Sequence, residues 1–125
     1  MPDKISHRGF FGTTDYTFCL TDEMLTELEH ITGQGIGAIY ATFIAGQFAA
    51  DSLREIIRLG MIGGGASPEY SLRKVQAYAT NRPLGELMAL ALNILDARWS
   101  GVADDAQLAE AAATGDLAAA LQVPA

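Results

Sequence analysis

Cysteine is nearly absent from this chain. Cys19 stands alone among 125 residues, which excludes an intramolecular disulfide and a cysteine-rich zinc site. Histidine is almost as scarce: His7 and His30 are the only two, and they lack the i, i+4 spacing of a metal pair. Basic side chains are also few. Eight Lys and Arg against 15 Asp and Glu give a formal charge of −7, which argues against a nucleic-acid binder, because phosphate contacts need massed cations. No apolar run is long enough to cross a bilayer, and no charged-then-apolar leader opens the chain, so a cytoplasmic protein with no membrane partner is expected.

What is present suits one soluble domain. Half the residues are apolar and 18% are charged, enough to bury a core without metal or disulfide staples. The only strand signal lies in residues 5 to 20. Tyr16, Phe18 and Leu20 alternate with Thr17 and Cys19, Gly12 to Asp15 reads as a turn, and Ile5 to Phe11 supplies the partner strand. From residue 21 to 101 the period becomes helical. Thr21 reads as an N-cap before a stripe of Leu25, Leu28 and Ile31, and Gly33 to Gly37 breaks that helix. Ile36, Ile39, Tyr40, Phe43 and Ile44 restart it, and Gly46-Gln47-Phe48 precedes the next helix.

The stretch from Asp51 to Gly101 is the best specified. A helix with Leu53, Ile56 and Ile57 on one face is expected to stop at Gly60, followed by a loop of three glycines. Ser67-Pro68-Glu69 reopens a helix with Leu72, Val75 and Ala79 inward, and Pro83 reads as the first residue of a longer one. That last helix carries Leu84, Leu87, Met88, Ala91, Leu95 and Trp99 at three- and four-residue steps. The predicted fold class is therefore mainly α, a domain over residues 1–101 of about five helices with a short N-terminal β-hairpin. Residues 102–125 are dominated by alanine and read as a separate tail, partly helical or frayed.

Chemical motifs are weak. Gly33, Gly35 and Gly37 follow a helix where a dinucleotide fingerprint needs a strand, and Gly63-Gly64-Gly65 lacks the Lys and Ser/Thr that complete a P-loop. No serine sits in a GxSxG setting. Arg54, Arg58, Arg73, Lys74 and Arg82 gather in the middle third and read as solvated helix faces. Asp51-Ser52-Leu53, opening a helix in a small acidic protein, looks like the phosphopantetheine site of acyl carrier proteins. Ala49 stands where that family has Gly, however, and Arg54 and Arg58 lie where its helix is acidic. No catalytic residue, metal or cofactor is assigned, and an enzyme is not expected.

Taken together, the chain resembles the tail assembly protein family of gene transfer agents and long-tailed phages, known both as tail tube proteins and as tail assembly chaperones. The resemblance rests on Leu20-Thr21, Leu28-Glu29, Gly33, the run from Ile56 through Arg58-Leu59-Gly60 to Gly65, Arg82-Pro83-Leu84, and Ala91 through Leu95 to Gly101. Met61 departs from it, since the family more often has leucine there. The resemblance implies one of two roles. Tail tubes of this lineage are β-rich, so a helical chain fits an assembly chaperone that binds the tape measure protein or other tail proteins. A structural component of the particle is the alternative, and a carrier modified at Ser52 a third. Many copies are needed to coat a long partner, so self-association is expected. Candidate partner-binding residues are Phe10, Phe11, Tyr16 and Met61. Phe10 and Phe11 are adjacent on a strand, so only one of them can enter a single core.

Overall fold

Residues 3–102 are described by the computed structural model. After one 3-10 turn (Asp3–Ile5), β1 (Ser6–Phe11) pairs antiparallel with β2 (Thr14–Cys19), Phe11 opposite Thr14 and Ser6 opposite Cys19. Gly12 and Thr13 form a two-residue loop, and Gly12 takes φ +69°, the positive φ that a type II′ connection needs at its first position. The period-two pattern turns Phe11, Tyr16 and Phe18 inward and leaves Arg8, Phe10 and Asp15 outward.

Five helices follow: α1 (Asp22–Thr32), α2 (Ile36–Ile44), α3 (Ala50–Gly63), α4 (Pro68–Tyr78) and α5 (Leu84–Ser100). Thr21 caps α1, its Oγ1 accepting the Met24 N–H at 3.3 Å, and Ser67 caps α4, accepting the Tyr70 N–H at 3.2 Å ahead of Pro68. Pro83 is the N-cap of α5 rather than its first residue: its ψ of 126° is extended, and Leu84 is the first helical position. Of the tail expected over residues 102–125, all but Val102 lies outside the described residues.

The expected stop at Gly60 is not observed, because α3 continues to Gly63. Its glycines are contact points. A Cβ on Gly60 would touch Phe18 and Ile94 at 3.4 Å, while one on Gly63 or Gly64 would overlap the carbonyl oxygens of Cys19 and Thr17. The C-terminal end of α3 thus lies directly against the outer edge of β2. Around α3 pack β2, α5, α4 and α1, and its Leu53, Ile56, Ile57, Leu59 and Met61 form the middle of the core.

Helix rotation departs from the predicted stripes in two places. On α4 the inward set is Ser71, Val75 and Ala79, small side chains that let the helix approach α3, and Leu72 is exposed. On α5 the buried set is Leu87, Leu90, Ala91, Ile94, Leu95 and Ala97, while Leu84 and Trp99, expected inward, are exposed at its two ends. Those ends project beyond the layer that covers the middle of the helix.

A methyl group on α3 separates packing glycines from spare ones. Gly63→Ala or Gly64→Ala is expected to cost about 3 kcal/mol or more, the upper range for overpacking. In α2, Gly37 has open space around it, and Gly37→Ala is expected to stabilise by up to about 1 kcal/mol. Urea denaturation midpoints of the three variants decide the matter.

Candidate protein-binding surface

The structure separates the four residues expected at a binding surface. Phe10 is 65% exposed and Phe11 5%, so the two adjacent rings do part to opposite faces. Phe11 packs edge-on against Tyr78, with centroids 6.2 Å apart. Tyr16 is half-buried between Phe18 and Tyr70 and shares a 2.8 Å hydrogen bond with the Tyr70 hydroxyl. Met61 is 1% exposed, on the last turns of α3, and offers no surface to a partner. Sequence reading set it in a glycine loop; the continuation of α3 carries it into the core instead.

Phe10 borders a groove of about 350 Å³ between the hairpin tip and the start of α5. Phe11, Tyr78, Leu87 and Leu90 supply its apolar lining, and Arg82 and Glu86 its charged rim. The α4 and α5 residues of this groove were missed in the sequence. The break at Arg82-Pro83 marked where α5 starts but carried no sign that it packs beside the hairpin. A second recess of about 190 Å³ lies farther along the same flank, where His7 of β1 meets Asn93 and Ala97 of α5. Burial holds the His7 imidazole below its usual pKa.

The two edges of the hairpin differ. Across a two-residue loop the flanking residues Phe11 and Thr14 exchange both hydrogen bonds, as then do Gly9 with Tyr16 and His7 with Phe18. Backbone groups of the alternate residues point away from the pair. On β2 these include the Thr17 and Cys19 carbonyls, which α3 covers. On β1 they belong to Arg8 and Phe10, both exposed. Near the start of this edge, the Val102 N–H donates to the Lys4 carbonyl at 2.8 Å.

Two further features lie elsewhere. Trp99 is 55% exposed and sits 4.7 Å from the Tyr40 ring, whose hydroxyl donates to the Asp96 carboxylate. Ser52 lines a separate cleft with Phe43, Phe48 and Glu55, in the first turn of α3, beside an Asp51 ion-paired to Arg54 at 2.9 Å. Among the described residues no group of three or more His, Cys, Asp or Glu is placed to hold a metal ion, and no helix is long and apolar enough to cross a membrane.

A helical domain with one short hairpin, an apolar groove and an uncovered strand edge has the features of a protein that binds protein. The family model described as phage tail tube protein, GTA-gp10, matches residues 4–101. The chain belongs to this family. Its role is therefore in the structure or assembly of a phage-type tail, the coarser half of what the sequence pattern implied. No curated protein and no solved structure matches the chain. For this GTA-gp10 family member, the family match carries nothing in favour of a carrier role at Ser52.

Two predictions follow from the surface. Phe11→Ala is expected to cost about 3–5 kcal/mol, as for other buried aromatic truncations, and Phe10→Ser to stay within about 0.5 kcal/mol of wild type, read by thermal melts. The tyrosines set a high-pH limit. Burial and the Tyr70 hydrogen bond push Tyr16 up to about 12, and the Asp96 hydrogen bond, with burial, pushes Tyr40 up to about 12. The fold then holds these protons more tightly than the unfolded chain, so their stabilisation is full below pH 10 and lost between about pH 10 and 12. Denaturation midpoints should fall over that window, and less steeply in a Tyr16→Phe, Tyr40→Phe double variant.

Proposed function

We propose that this chain is a tail assembly chaperone that binds the tape measure protein, or a comparable long tail protein, while the tail is built. It acts in the cytoplasm, in several copies per partner, as a binding protein rather than an enzyme, and without a cofactor. The observation that supports this reading is the balance of secondary structure. Five helices accompany a single two-stranded sheet among the described residues. A ring-forming tube subunit closes a wall by strand pairing, and one hairpin of two six-residue strands with one edge covered by α3 has little to contribute to such a wall.

A long helix-rich partner exposes apolar stripes before it is enclosed, and these need a surface that is apolar within and polar at its rim. The groove beside Phe10 answers to that description. The second reading, a component that stays in the particle, is favoured by the family's own description as a tail tube protein.

The two separate in one experiment. The chain is co-expressed with the long helical protein encoded beside it, and the soluble fraction is weighed by native mass spectrometry. A chaperone makes the partner soluble, remains bound in several copies, and is absent from finished particles. An equally soluble partner with no complex overturns the proposal. Recovery of the chain at constant stoichiometry in purified particles supports the structural reading.

A further inference from the structure

The helix α2 presents an apolar face that no other described element covers. We infer that this face seats a second copy of the chain, α2 against α2 across a two-fold axis. Such a contact gathers the several copies that the proposed function calls for, and to that extent rests on it. Residues 31–50 contain no Asp, Glu, Lys or Arg, and α2 is the only described helix without one. It lies at the margin of the fold, packed chiefly on α1, with Ile39 and Phe43 turned inward. Gly37, Ala38, Ala41, Ile44 and Ala45 occupy the opposite side, and all are exposed, Ile44 by 66%. These adjoining positions hold no polar side chain and form a contiguous apolar face. The exposed Trp99, in contact with Tyr40 one turn before Ile44, widens the patch on one flank.

Charge selects the occupant. The chain carries a formal −7, so copies repel wherever their acidic surfaces meet. Across a two-fold axis each residue near the axis faces itself or a close neighbour, and any charge there meets its like. The face of α2 is free of that penalty.

Shape agrees with charge. In an antiparallel pair with its axis beside Ala41, the helical repeat sets Ala41 against its own copy, Ile44 over Gly37 of the second copy, and Ala45 beside Ala38, the last two contacts made twice. Gly37 supplies the hollow. A Cβ there would have nothing within 4 Å, so no contact among the described residues accounts for a glycine in the first turn of α2. Glycine is a costly helix residue, and seating Ile44 gives this one a use. With alanine and glycine at the crossing, the two axes approach to about 8 Å. One helix pair is a small interface, so the dimer is weak and forms as local concentration rises, for instance along a shared partner.

The test is sedimentation equilibrium of the purified full chain from micromolar to millimolar concentration, at low and high salt. Wild type should pass from monomer to dimer, and more readily in high salt, because salt screens the net charge and this contact has no ion pair to lose. Ala41→Glu and Ala41→Lys each replace an exposed alanine by a good helix former, so the fold is kept while like charges meet at the axis. Either variant alone should raise the dissociation constant at least tenfold. Mixed in equal amounts, the two should recover a heterodimer, since opposite charges then face each other. A wild-type chain that stays monomeric throughout overturns the inference, as does a dimer that salt weakens, that both variants leave intact, or that mixing fails to restore. Association that appears only once residues 103–125 are removed would assign the face to this chain's own tail, and also overturns it. None of these outcomes involves a tail protein, so failure here is distinct from failure to bind one.

Discussion

The contact on which the rest of the structure depends is the one between α3 and the outer edge of β2. Two glycines make it, and they make it by having no side chain. With Gly63 and Gly64 against the carbonyls of Cys19 and Thr17, the helix sits at backbone distance from the strand, closer than ridges of side chains allow. That distance seats Phe18 against Gly60 and Ile94, and so brings the hairpin onto α5 as well. An isolated hairpin of this length is marginal in water. Here it holds because both of its strands rest on helices and one of its edges is shielded.

The same contact makes the molecule asymmetric. Closing the β2 edge leaves β1 as the side on which sheet pairing can continue, and the exposed aromatic Phe10 lies on that side. The groove and the smaller recess both lie along this side, between the hairpin and α5. Elsewhere the surface is arranged for internal order. Arg54 donates to the Ala79 carbonyl at 2.9 Å and pairs with Asp51, Arg58 pairs with Glu55, and Arg98 reaches across to Asp22 at 2.6 Å. These are partly exposed pairs worth little stability each; the first two lie within α3, and Arg98–Asp22 joins the end of α5 to the start of α1.

Much of this fold was legible in residue order. Thr21 and Ser67 capped the helices expected of them, Gly33 ended α1 with positive φ, and the alternation around Tyr16 and Phe18 marked the hairpin. Those signals are local, and each is decided within a turn or a few strand positions. What could not be read were facts of tertiary approach. A glycine that stops a helix and one that admits a strand edge look identical in sequence, so Gly60 and Gly63 were taken for breaks. Helix rotation was misjudged for the same reason. Ser71 faces inward and Leu72 outward because α4 comes close to α3, which propensity does not register. Of the candidate surface, strand alternation showed that one of Phe10 and Phe11 stays outside but not which, whereas Tyr78, Arg82 and Leu90 reach the groove only through packing across more than sixty positions of chain.

The bond from the Val102 N–H to the Lys4 carbonyl places the last described residue beside the first ones. A chain whose hairpin rests on the last of its described helices cannot complete this core until residue 100 has been made. The inner faces of Phe11 and Phe18 emerge early, and α5, which shields them, emerges more than sixty residues later. Such non-local closure slows folding and keeps apolar surface uncovered for most of synthesis. A protein built this way has its hairpin out of the ribosome well before the helix that shelters it, so the order of synthesis sets how long those two rings stay in water.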